Sequence, residues 1–345
     1  MSQSVQAVPS FIERRPYRVR TAARPTAREW LRHSLLFALT VLTTTFAGTL
    51  LISESMPGFR ISEPTSLAGY LAYIPLVYLS EVAGVLRQIM VEPALLGHGV
   101  IFSVSLLAIL TAHESGHYVA CRRYGVEATL PFFIPAPPLV LAGTFGAFIK
   151  IKSPIPSRAA LFDIGVAGPI AGFIVAIPVL FLGLLTSHTV ATGGISDGGS
   201  VIYFHDSLLV QGAAKIVGVN LASSIAPNPY YFASWIGLLV TSLNLMPVGQ
   251  LDGGHAVYAV FGLRAHRWIG RLAFVSMVVL AVTGWLWHGS PSGFVYALLL
   301  AVVLRMPHPH PENEIVPLDR NRILVAVFTL LIFVCTFLPF PISVN

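Results

Sequence analysis

Long apolar runs, separated by short clusters of arginine, lysine, proline and glycine, set the pattern of this chain. Runs free or nearly free of charge cover residues 34–53, 93–112, 164–186, 230–251, 272–287 with continuation through 304, and 323–340. A helix needs roughly 20 such residues to cross a hydrocarbon layer. The pattern therefore predicts an all-α polytopic membrane protein with about six to seven transmembrane helices.

Between these runs the pattern changes character. Residues 55–92 hold Pro57, Gly58, Pro64, Gly69 and Pro75 around an apolar stretch, 67–79, that ends at Glu81. This predicts an external loop with a re-entrant or surface helix, not a full crossing. Pro131, Pro135, Pro137 and Pro138 forbid a regular helix. Alternation then appears after Gly143, so residues 142–152 are expected to form a short membrane-associated β-strand or hairpin. Gly165, Gly168 and Gly172 allow close helix approach in a span over 160–186, with Pro169 and Pro178 bending it. The span over 230–251 should break near Pro247, and 187–229 reads as external, with a surface helix in its apolar part, 208–225. Four regions follow: a basic N-terminal segment, 1–33; a first span and external segment, 34–92; a core carrying the candidate chemistry, 93–260; and further spans, 261–345.

Composition supports the membrane reading, with 55% hydrophobic and 10% charged residues and a mean hydropathy of +0.75. The net charge of +6 does not indicate nucleic acid, because the basic residues sort by loop. With each run crossing once, only Arg60, Arg87 and Lys215 of 21 basic residues fall on the far side. The N-terminus, 121–159 and 253–271 are then cytoplasmic. The first span, preceded by a long basic lead, reads as retained and not as a signal peptide. Cys121 and Cys335 suit neither a disulfide nor a zinc-cysteine site.

The chemistry concentrates where two uncharged runs end. His113-Glu114-Ser115-Gly116-His117 places two imidazoles on one helix face, able to share a divalent metal, with Glu114 beside them to activate water. The second string runs from Asn244 through Met246-Pro247 to Leu251-Asp252-Gly253-Gly254-His255 and reaches the same depth. An aspartate there is costly unless paired or coordinating. One reading makes Asp252 the third ligand of a Zn²⁺; the other makes it a turn cap beside glycines.

With Gly168-Pro169-Ile170-Ala171-Gly172, these strings resemble the site-2 proteases, zinc metalloproteases that cleave within membranes, over roughly 93–260. Gly143-Thr144-Phe145-Gly146-Ala147 with Lys152-Ser153 is similar to the chloroplast and cyanobacterial branch. The resemblance implies one Zn²⁺ per chain on His113, His117 and Asp252, Glu114 as general base, and Asn244 as a second catalytic residue binding peptide or oxyanion. It implies an endopeptidase acting on transmembrane protein substrates in regulated intramembrane proteolysis. Its setting would be a bacterial plasma membrane or a chloroplast-type membrane, with the site at the cytoplasmic or stromal end. The 142–152 strand would hold an unwound substrate by edge pairing. No loop accommodates a PDZ domain, so selection falls to the core, the 55–92 segment or a separate recruiting protein, besides membrane lipid. The alternatives are an inactive chaperone or scaffold of the same fold, and a metal-dependent transporter.

Other polar residues read more simply. His255 is expected at a solvated interface, and His308 and His310, alternating with Pro307, Pro309 and Pro311, in a solvated linker. His205 and Asp206 fall in the external segment.

Overall fold

The computed structural model describes residues 25–52, 66–137, 142–187, 202–221 and 228–344. Most of the basic lead lies outside them, as do parts of the external segments.

Helix α1 (Ala27–Ile52) starts inside the region read as a polar lead. Thr26 and Glu29 bond reciprocally at this end, the Thr26 amide donating to Glu29 at 2.8 Å and the Glu29 amide to Thr26 Oγ1 at 3.2 Å. That is a capping box, and it satisfies donors the helix start would otherwise leave open. Helix α2 (Leu67–Val91) occupies the part of 55–92 expected to hold a re-entrant or surface helix. It extends beyond the apolar stretch 67–79: its 25 residues run helically past Pro75, Glu81 and Arg87, capped by the Ser66 side chain. Proline removes one backbone donor, and here the helix tolerates it without ending.

Helices α3 (Ala94–Arg123) and α4 (Arg158–Leu185) form the centre, and α4 carries Pro169 and Pro178 inside it. Small residues let the helices touch. A Cβ on Gly116 would lie 2.4 Å from the Ala167 carbonyl oxygen, and one on Gly48 would lie 2.6 Å from Phe102. Such approach is the usual means of joining helices in lipid. Thr44 and Ser103 join α1 to α3 through a hydroxyl pair at 2.6 Å.

Strands β1 (Phe132–Pro135) and β2 (Thr144–Phe148) make the expected hairpin, antiparallel with Phe132 opposite Phe148. The proline-rich stretch read as plain loop thus supplies the partner strand. A second two-stranded sheet was not anticipated: β3 (Ile202–Phe204) pairs with β4 (Ile342–Val344). Between β3 and α6 lies α5 (Leu208–Val217), shorter than the surface helix expected over 208–225 and ended by Gly218 at φ 82°.

Helix α6 (Pro229–Asn244) stops three residues before Pro247, as proline disfavours helix in the residue before it. The chain turns through 245–251 and resumes as α7 (Asp252–His288), itself broken at Gly262 (φ 81°). Helices α8 (Ser292–Arg305) and α9 (Arg320–Thr336) complete the bundle. Four of the described helices are long and apolar enough to cross a membrane: 27–51, 94–123, 158–185 and 252–287. The chain is a mostly helical, polytopic membrane protein.

Polar contacts gather one end of the bundle. Lys152 pairs with Glu29 at 3.1 Å, Arg158 donates to the Ala259 carbonyl at 2.7 Å, and Arg322 bonds Asp163 at 2.7 Å. These join the starts of α1, α4 and α9 to the loop after β2 and the first part of α7.

Candidate metal centre

Helices α3 and α7 bring three donors to one point. From α3, His113 and His117 project one turn apart, and both are more than nine-tenths buried. From the start of α7 comes Asp252, whose Oδ2 lies 3.3 Å from each histidine Nε2. The two Nε2 atoms are 3.2 Å apart. Tetrahedral zinc, with bonds of about 2.0–2.2 Å, spaces its ligand atoms roughly 3.3–3.5 Å from one another. The triangle fits that spacing without rearrangement, and among the described residues it is the group of three that could hold a metal.

The backbone fixes the triangle. His117 Nδ1 donates to the Ile164 carbonyl at 2.7 Å, leaving the Nε2 lone pair directed at the centre. Gly168 on α4 gives that ring its room: a Cβ there would sit 2.1 Å from His117 Nε2. Gly172 does the same beside His113, with a Cβ 3.1 Å from the His113 Cβ. Asp252 opens a helix, where free amides and the helix dipole favour an anion.

Glu114 is buried beside the triangle, and Ile149, just after β2, lines the same cavity. Asn244, the last residue of α6, lies with its amide nitrogen 3.3 Å from His113 Nε2. These side chains share a cavity of about 560 Å³ with residues 147–151 of the hairpin and with Pro307, Pro309 and His310. All five residues singled out by sequence therefore meet at one place. The Ile164 carbonyl and the loop before α9 were not foreseen, since nothing local in those stretches signals contact with the site.

Two other expectations change. His255 and His308 are half-buried and partnered within the protein: His255 Nδ1 and His308 Nε2 are 2.9 Å apart, and His308 stacks on Tyr258 with rings 4.6 Å apart and 5° from parallel. Burial, reinforced by His255 and His266, pushes His308 down to about 3. His310 remains exposed but bonds the Tyr258 hydroxyl at 3.0 Å. His205 and Asp206 sit away from the triangle, His205 with Ser343 at 2.9 Å and Asp206 accepting from the Tyr231 hydroxyl.

Comparison with known proteins agrees with this geometry. The model of peptidase family M50 matches residues 101–283. A relative named probable zinc metalloprotease EGY2, chloroplastic, from Oryza sativa subsp. indica, is 30% identical over 250 residues, covering 72% of this chain and 44% of the relative. The probable zinc metalloprotease EGY1, chloroplastic, from Oryza sativa subsp. japonica is 34% identical over 239 residues, covering 68% of this chain and 39% of the relative. Its Arabidopsis thaliana counterpart is 31% identical over 237 residues, covering 68% and 42%. The chain spans less than half the length of these relatives. The family match extends from α3 into α7 and so contains every donor of the triangle: the chain belongs to peptidase family M50.

Proposed function

We propose that this chain is a zinc endopeptidase that hydrolyses peptide bonds of membrane-spanning proteins. The observation that carries the reading is the three-donor triangle with Glu114 and Asn244 in one cavity, set among helices of membrane length. His113, His117 and Asp252 would hold the metal. When bound, zinc supplies a Lewis acid and brings water to the point of deprotonation near neutral pH. Glu114 takes that proton and returns it to the leaving nitrogen. Asn244 offers an amide donor for the oxyanion that develops on the scissile carbonyl.

A helical substrate must unwind before its carbonyl reaches the site. β2 supports a way to hold it, since one edge pairs with β1 and, among the described residues, no strand covers the other. Residues 147–151 meet the same cavity as Glu114, so an added substrate strand would pass close to the site. The chloroplastic relatives and the basic-residue sorting support an integral membrane protein of chloroplast or bacterial plasma-membrane type. Its N-terminus and site would face the cytoplasm or stroma, suited to regulated release of a protein on that side.

The test is cleavage of a labelled single-span substrate by purified protein in lipid. Turnover should require zinc, vanish on chelation and return on zinc addition. Turnover unaffected by chelation, or no zinc in purified protein, would reject the proposal. Cysteine labelling from either side tests orientation: labels in 121–159 and 253–271 should be reached from the cytoplasmic face only.

A further inference from the structure

We propose that the outer face of α7 beyond its break at Gly262 binds an anionic phospholipid. The headgroup meets Arg264, Arg267 and Arg271, and the acyl chains lie along the valines that follow. The site backs onto the turn that carries Asp252, so it links the lipid to the metal centre.

The face is laid out along the sequence. Arg264, Trp268, Arg271, Val275, Val278 and Val282 recur at alternating steps of four and three residues, which places them on one helical stripe, with Arg267 alongside. All seven are exposed, Trp268 by 70% and Val275 by 54%. The Arg271 guanidinium stands 5.5 Å from the centre of the Trp268 ring, a cation–π contact made along that stripe.

The stripe turns from cationic to apolar at one level, and helix length puts that level at a membrane surface. Trp268 and Trp287 are 19 positions apart, about 28 Å along a helix. The hydrocarbon layer is roughly 30 Å thick. The two indoles therefore bracket the layer, where tryptophan is favoured. Arg264 and Arg267 then stand at headgroup depth, and Arg271, just inside, reaches it by extending its side chain outward.

Charge selects the kind of lipid. Between Asp252 and Glu312 the sequence holds four arginines and no acidic residue. Among the described residues Arg264, Arg267 and Arg271 form no ion pair, whereas Arg158 and Arg322 are both engaged within the protein. An unengaged guanidinium offers a planar fork of donors that matches a phosphate. A zwitterionic headgroup brings its own cation to the same place and leaves this charge half compensated. An anionic headgroup does not.

The inner face of the same segment gives the site a consequence. A Cβ on Gly270 would lie 3.5 Å from the Pro247 carbonyl oxygen and 3.4 Å from Leu304 Cδ1. The segment thus rests on the turn through 245–251 that delivers Asp252. His266, next to Arg267, is buried, with its ring 4.7 Å from that of His308 in the loop before α9. A lipid that fixes the outer face at one depth keeps this turn seated, and Asp252 with it. Anionic lipid should therefore strengthen zinc retention; this consequence, though not the site, rests on the metal reading above.

The experiment uses the full chain reconstituted in phosphatidylcholine bilayers with graded phosphatidylglycerol. Tryptophan quenching by brominated phosphatidylglycerol is compared with quenching by brominated phosphatidylcholine, and Trp268→Phe protein isolates the signal of that residue. We expect phosphatidylglycerol to be preferred at Trp268 by at least about tenfold, since each arginine near an anionic surface contributes about fivefold. The preference should shrink as salt rises. Arg264→Gln, Arg267→Gln and Arg271→Gln together should bring it below about twofold with helix content unchanged, while Arg264→Lys, Arg267→Lys and Arg271→Lys together should keep most of it. If the triple glutamine protein does not fold, Arg267→Gln alone should lose about fivefold. No preference in wild type, or an undiminished one in the glutamine variant, overturns the site. Displacement by soluble glycerol phosphate would make the ligand a free phosphate and overturn the lipid. For the consequence, wild-type protein should hold zinc against a chelator severalfold better with phosphatidylglycerol present, and the triple glutamine protein should be indifferent to it. Equal retention by wild type in both bilayers overturns the coupling. Neither arm requires cleavage, so each outcome is distinct from failure of the protease reading.

Discussion

Replacing Gly168 by alanine isolates the packing that holds a ligand in place. The added methyl would lie 2.1 Å from His117 Nε2, 2.4 Å from Cδ2 and 2.5 Å from Cε1. Non-bonded carbon atoms settle at roughly 3.5–4.0 Å, so about 1.4 Å of separation is missing. The ring cannot swing aside freely, because Nδ1 is held by Ile164 on the same helix α4. Metal ligands tolerate displacements of roughly 0.2 Å, so a shift of this size removes His117 from coordination. We expect zinc affinity to fall at least about 10²-fold, equivalent to about 2.8 kcal/mol. Intrinsic helix propensity acts in the opposite direction, since alanine is favoured over glycine by about 1 kcal/mol. The variant should therefore keep its helix content while losing metal. Gly172→Ala is the internal control, as its methyl meets His113 Cβ at 3.1 Å and asks for a much smaller adjustment. Competition against a chelator of known affinity measures both. Wild-type zinc affinity in a folded Gly168→Ala protein would refute the packing argument.

Glu114→Gln should retain zinc and fold but lose at least about 10²-fold in cleavage, because the proton acceptor is gone; metal-loaded protein with near-normal turnover rejects the role. Ile149→Pro removes a backbone donor at the end of β2, where the chain lines the cavity and a substrate strand would add, so cleavage per zinc-loaded molecule should fall at least about tenfold, while Ile149→Val should cleave almost normally. Loss of zinc in the proline variant would point to general disruption instead. Burial raises Asp206 above its ordinary value, opposed by its bond from Tyr231 and by His205. A raised acid stabilises the fold most when protonated, below its unfolded pKa, and that contribution is lost as pH rises through the folded value. Melting curves across pH should show this slope in wild type and not in Asp206→Asn.

What could be read from sequence was what depends on neighbours along the chain. The histidine pair needs only helical spacing, and the helix break before Asp252 needs only Pro247 and its glycines. The hairpin was half legible: alternation marked 144–148, but its partner 132–135 was hidden by prolines that exclude helix without excluding an edge strand. Pairing of 202–204 with 342–344 joins segments far apart in the chain and carries no local signal. His308 shows the same limit. Flanked by prolines and a histidine, it looks solvated, and contacts with the distant Tyr258, His255 and His266 half-bury it. Helix α2 was expected but its length was not: the apolar stretch ends at Glu81, and the helix runs on through it to Val91.

The glycines of the core explain why the metal centre is a property of the docked bundle and not of any one motif. A Cβ on Gly253 would lie 1.9 Å from the Leu245 carbonyl oxygen, and one on Gly254 would lie 2.3 Å from that of Gly249. The turn carrying Asp252 is thus folded back on its own backbone, which leaves no room for any larger residue. Gly116 closes α3 on α4 in the same way. His113 and His117 alone give two ligands from α3, and Asp252 reaches them only if α6, the turn and α7 all seat against that pair. Burying an aspartate and two imidazoles among apolar helices costs free energy unless they share a cation. Metal and helix docking therefore stabilise each other: zinc should raise the melting temperature of the bundle, and any glycine that sets helix separation should be coupled to metal affinity even where it touches no ligand.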